Sequence, residues 1–167
     1  MEIIDNFLPM NDFILISSAV MSSHFSWFYS PCVNNEDDPM DNIKNRYFEH
    51  HFFAYDHNTE SHTRSIKFGL IEPFLNKLEI NDLHRAKANL FPSTETLLHH
   101  SFHTDMDFKH NGAILYLNDC DGYTLFPDGT KVESVANRCL LFDSSKPHAS
   151  TTCTNVKARF NINVNYS

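Results

Sequence analysis

The final stretch, Arg159-Phe160-Asn161-Ile162-Asn163-Val164-Asn165-Tyr166, alternates strictly between polar and apolar residues. Successive side chains of a β-strand point to opposite faces. Arg159, Asn161, Asn163 and Asn165 therefore share one face, and Phe160, Ile162, Val164 and Tyr166 the other. A wholly polar face belongs at the surface or against a wet cavity. Surface strands more often carry Lys, Glu and Thr, so an Arg in register with three Asn favours the cavity. The same period appears upstream in Arg85-Ala86-Lys87-Ala88-Asn89-Leu90-Phe91. There Arg, Lys, Asn and Phe lie on one face, Ala, Ala and Leu on the other, and Pro92 ends the strand.

Short strand-like runs lie between and around these two, at 97–105, 113–118, 124–126, 131–135, 139–142 and 157–166. Asp121-Gly122 and Asp128-Gly129 are turn dipeptides among them. Many short strands with close turns predict a β-sandwich or jelly roll. The N-terminal third reads as helix and loop. Asn11 or Asp12 can cap a helix running to about His24, with Phe13, Ile16, Val20 and Met21 near helical spacing. Leu70, Ile71, Phe74, Leu75 and Leu78 mark a second helix, with Pro73 in its first turn. The expected architecture is a mostly β chain with flanking helices outside one sheet. Residues 1–84 would supply helices and loops, and 85–167 the jelly-roll core.

At 167 residues one domain is the simplest division. A hydrophobic content of 41% with fifteen Phe supplies a core. The net charge of -8 argues against nucleic acid, whose phosphates are held by clustered Lys and Arg. No apolar run approaches the ~20 residues of a membrane span, and Met1-Glu2-Ile3-Ile4-Asp5 lacks a basic leader, so a cytoplasmic protein is expected. Cys32, Cys120, Cys139 and Cys153 are scattered with no C-x-x-C, which predicts reduced, buried or half-buried thiols. The acidic stretch 34–42 (NNEDDPMDN) reads as a solvated connection or a lid.

The chemistry concentrates in His103-Thr104-Asp105, His148 and Arg159. On a strand, His103 and Asp105 point the same way and can chelate one ion. With a distant second His they have the spacing of the two-His, one-carboxylate set that holds Fe(II) on one face and leaves the other open. His110 is the rival second His, but it sits close by in an exposed turn. His99 shares parity with His103 one pleat away, a supporting or exposed group. Arg138 rivals Arg159 as the anion-binding cation, but it falls at a solvated turn. Arg159 lies inside an alternating strand, where an unpaired guanidinium would be costly. It needs an anion, and a dicarboxylate would supply one. Tyr116, in Ala113-Ile114-Leu115-Tyr116-Leu117-Asn118, reads equally as core packing or as a buried hydroxyl with a partner.

These residues make the chain resemble the iron- and 2-oxoglutarate-dependent dioxygenases, in their prolyl-hydroxylase-like branch. The resembling part runs over 85–166: RAKANLFPST, HTD, AILYLND, DGYTLFPDG, NRCLLFDSSKPH and ARFNINVNY. It is also similar to small bacterial and phage members. The resemblance implies a double-stranded β-helix of cupin-like form, with His103, Asp105 and His148 as iron ligands. It further implies that Arg159 and Tyr116 hold the far carboxylate of 2-oxoglutarate, and that Asn89, Phe91, Asn163 and Asn165 face the cavity. The implied reaction consumes dioxygen, forms succinate and carbon dioxide, and hydroxylates a peptidyl or small-molecule substrate. Asp121-Gly122-Tyr123 departs from the double-glycine turn common in prolyl hydroxylases. Asn165 stands where the oxidative nucleic-acid demethylases end their Arg-x-Asn-x-Thr-x-Arg strand with Arg. Two other readings stay open: a cupin-like metal enzyme indifferent to 2-oxoglutarate, and a non-catalytic β-sandwich binding module.

Overall fold

A computed structural model describes residues 1–33 and 46–167. The acidic stretch 34–42 lies outside the described residues. Among the described residues eleven strands dominate: β1 Glu2–Ile4, β2 Phe28–Ser30, β3 Tyr47–Asp56, β4 Ser61–Arg64, β5 Leu83–Pro92, β6 Asn111–Tyr116, β7 Tyr123–Leu125, β8 Lys131–Glu133, β9 Cys139–Asp143, β10 Ala149–Ser150 and β11 Ala158–Tyr166. The large antiparallel sheet runs β1-β9-β6-β11-β5-β3-β2, with β4 beside β3. A small sheet, β10-β7-β8, faces it, extended by the isolated bridges His99–Thr151 and His103–His148. The fold is a mostly β double-stranded β-helix.

Strand β11 sits at the centre of the large sheet, between β6 and β5. Its two faces meet different surroundings, as the alternation requires. Ile162 and Val164 join a core with Ala86, Ala88, Leu115 and Phe52, under helix α1 (Met10–Val20) and helix α2 (Glu72–Leu75). A smaller apolar cluster of Ile114, Tyr116, Val132, Leu140 and Phe142 fills part of the space between the sheets. Gly112 lets β6 approach β9 closely. A Cβ there would lie 2.7 Å from the Ser144 Cβ and 2.9 Å from the Phe142 ring. Among the described residues, no helix is long and apolar enough to cross a membrane.

Three expectations need correction. Residues 1–84 are not only helix and loop, because β3 runs through them and pairs with β5 along its length. The first helix ends at Val20, not near His24, and begins after Pro9 with no side-chain cap. Its Phe13, Ile16 and Val20 do face the core. The run 97–105 forms isolated bridges instead of a continuous strand, because only two of its residues pair with the segment around β10.

Candidate active site

His103 and His148 are held opposite each other by mutual backbone hydrogen bonds, 3.0 and 2.9 Å. Each ring places Nδ1 near the carbonyl two residues back: Ser101 at 3.2 Å and Lys146 at 3.0 Å. A carbonyl only accepts, so Nδ1 carries a proton in each, and in the neutral ring Nε2 is the nitrogen that offers a lone pair. His148 Nε2 lies 3.6 Å from Asp105 Oδ2. One ligand atom from each of His103, Asp105 and His148 falls within 4.8 Å of the others. Two neutral imidazoles and a carboxylate are a donor set that suits Fe(II) and leaves room for further ligands.

Asp105 is firmly fixed. Arg85 donates to Oδ1 at 2.5 Å, while Ser144, Asn165 and Asn163 donate to Oδ2 at 2.5, 2.9 and 3.2 Å. Burial alone would raise its pKa, but Arg85 and these hydrogen bonds outweigh it and hold the group well below the usual carboxylate range. Burial, with His148 adding to it, lowers the pKa of His103 to about 4, which keeps the ring neutral. The spacing of Arg85 and Ser144 from Asp105 gives no hint of these contacts. The only signal for Arg85 was its parity with Asn89 and Phe91.

His103, Asp105, His148 and Arg85 line a cavity of about 730 Å³ between the two sheets, whereas Asn165, expected to face it, lies behind Asp105 and outside the lining. Arg159, Asn89, Phe91, Asn161 and Asn163 line the same cavity. Arg159 is fully buried. It donates to the Thr151 carbonyl at 3.1 Å and to Thr124 Oγ1 at 3.2 Å, and its Nε has no partner. Its guanidinium lies 5.6 Å from the Phe91 ring centre and 5.5 Å from that of Tyr116. No salt bridge of Arg159 exists among the described residues, and burial pushes its pKa down. A buried cation without a counter-ion is the arrangement that an incoming carboxylate would complete. Tyr116 is fully buried behind Thr124, its hydroxyl 2.7 Å from Thr124 Oγ1. Asn165 meets Asp105 and the Ser144 hydroxyl, the latter at 3.4 Å.

The rivals fall elsewhere. Arg138 pairs with Asp5 at 2.6 Å. His99 is exposed, its Nε2 3.0 Å from the Tyr123 hydroxyl. His110, expected to be exposed, is buried, because its ring packs beside Phe108 and its Nδ1 lies 2.8 Å from that residue's carbonyl.

No family model matches the chain, and no curated protein matches it in sequence. Solved structures do match. A prolyl hydroxylase from Trichoplax adhaerens, in complex with a hypoxia inducible factor oxygen degradation domain peptide fragment, gives a TM-score of 0.66 at 18% identity, over 99% of this chain and 82% of that one. A Pseudomonas putida prolyl-4-hydroxylase gives 0.61 at 14%, over 99% and 90%. An oxidoreductase of the 2OG-Fe(II) oxygenase family from Burkholderia pseudomallei gives 0.54 at 10%, over 72% and 68%. At such identities the likeness is one of fold: this chain is built on the same double-stranded β-helix as these prolyl hydroxylases.

Proposed function

We propose that the chain is an iron- and 2-oxoglutarate-dependent oxygenase that hydroxylates a peptidyl or small-molecule substrate. The observation that carries this reading is the pairing, in one cavity, of the His103–Asp105–His148 cluster with the buried, uncompensated Arg159. A metal set alone would suit many chemistries. A buried cation sharing its cavity supports a co-substrate with a distal negative charge.

The side chains of His103, Asp105 and His148 would hold the iron. When bound, the iron would supply the activation of dioxygen that no side chain provides. Arg85, Ser144 and Asn165 keep Asp105 ionised and hold it beside the two histidines. Arg159 would bind the far carboxylate of 2-oxoglutarate, with the Thr124 hydroxyl as a second donor. Phe91 and Tyr116 flank the guanidinium and limit its motion. Fixing the far end sets the orientation of the near end before any chemistry. The peptide held by the Trichoplax adhaerens prolyl hydroxylase supports a peptidyl substrate.

Calorimetric titration of 2-oxoglutarate into Mn(II)-loaded protein tests the co-substrate site. One site is expected in the unaltered protein, weakened at least about tenfold in Arg159→Ala while Mn(II) still binds. Equal affinity in the two proteins would remove Arg159 from the site and favour a cupin-like enzyme.

A further inference from the structure

Lys87, Asn89 and Asn163 line the cavity too, and the proposed co-substrate leaves them unused. Lys87 and Asn89 are two apart on β5, and Lys87 stands directly across from Asn163 on β11. The Lys87 ammonium donates to the Tyr47 hydroxyl and to Glu49 Oε2, each at 3.0 Å. An ammonium has three donors, so one remains. The Lys87 side chain is 12% exposed.

The orientation of Asn163 follows from its neighbour. Its amide nitrogen donates to Asp105 Oδ2, and a carboxylate only accepts. Its carbonyl oxygen is buried without a partner. Asn89 donates to Asn161 Oδ1 at 2.8 Å, and its own carbonyl oxygen is likewise buried and unpaired. 2-Oxoglutarate carries acceptors only as its dianion, so it cannot supply the missing donors.

Charge narrows the missing group further. Beside Lys87 the charge is already balanced, because its ammonium pairs with Glu49 at 3.0 Å. A charged ligand group would find no unpaired opposite charge there, whereas a neutral one preserves the balance. An amide offers such a neutral pair at fixed separation, a carbonyl acceptor beside an N–H donor. Building on the oxygenase reading, we propose that Lys87, Asn163 and Asn89 form a specificity subsite for an amide of the substrate. Lys87 donates to the amide carbonyl oxygen. The amide N–H donates to Asn163 Oδ1, with Asn89 Oδ1 as the neighbouring acceptor. The amide belongs to a peptide bond or to a small carboxamide.

Saturation-transfer NMR on Zn(II)- and 2-oxoglutarate-loaded protein tests this without turnover. The probes are amino acids blocked as N-acetyl N′-methylamides, small carboxamides, and matched esters and N,N-dialkyl amides that lack the N–H. Probes with an N–H are expected to bind about tenfold tighter than their matched counterparts. That preference is expected to collapse in Lys87→Met, which leaves the histidines and Asp105 untouched, and in Asn163→Val. Preference for the blocked amino acids assigns the amide to a peptide, and binding of the small carboxamides assigns it to a metabolite. Equal binding of amides and esters, a preference for free amino acids, or no binding at all would overturn the subsite. Anaerobic Fe(II) and 2-oxoglutarate separate the two failures. A visible charge-transfer band without an amide preference defeats the subsite alone. No band defeats the oxygenase reading, and the subsite with it.

Discussion

Arg159 lies in a tight place, and Gly122 makes the room for it. A Cβ on Gly122 would stand 2.8 Å from the Arg159 Cδ and 2.5 Å from the Thr152 carbonyl oxygen. The carbonyl is backbone and yields little, so the guanidinium or the turn must shift. Gly122→Ala is expected to cost about 1–3 kcal/mol of stability by overpacking. It should weaken 2-oxoglutarate binding as well, because it displaces Arg159. Urea denaturation together with the calorimetric titration checks both, and unchanged stability would mean the turn adapts freely. The closeness of His103, Asp105 and His148 was legible from their spacing, and the burial of Arg159 from its place in an alternating strand. Arg85, Ser144 and Lys87 were not singled out, since register between strands sets their contacts with Asp105 and Glu49. Arg85 meets Asp105 from the start of β5, twenty residues away in the chain.

Among the elements, β11 and β5 were readable because each has one apolar and one polar face. Strand β3 was hidden. Its sequence, Tyr47-Phe48-Glu49-His50-His51-Phe52-Phe53-Ala54-Tyr55-Asp56, does not alternate, and a register shift between His51 and Phe53 turns its later residues over. His50 belongs to this strand and is buried, with Nδ1 2.8 Å from the Ser26 carbonyl and Nε2 3.0 Å from Ser65 Oγ. Burial pushes its pKa below the ordinary 6.5. The unfolded chain then takes up a proton that the folded chain resists. Stability is present above about pH 6.5 and is lost as pH falls below it. The urea midpoint should therefore drop between about pH 7.5 and 5.5, and drop less in His50→Gln. His84, also lowered by burial, acts with the same sign, so the slope should shrink without vanishing. An identical slope in the variant would remove His50 as a cause.

At the scale of the molecule, β11 divides two interiors. One is apolar and packed under the helices, and the other is a polar cavity closed by the small sheet. The jelly roll was legible from strand spacing, whereas the small sheet's extension by isolated bridges was not, because two paired residues leave no periodicity. The central claim is that iron and 2-oxoglutarate share the cavity between the sheets. Its most direct test is anaerobic addition of Fe(II), then 2-oxoglutarate, to the full chain, followed by visible absorption. A weak charge-transfer band is predicted, absent in both His148→Ala and Arg159→Ala. Folded protein that binds no Fe(II), or that binds it and gives no band with 2-oxoglutarate, would contradict the claim.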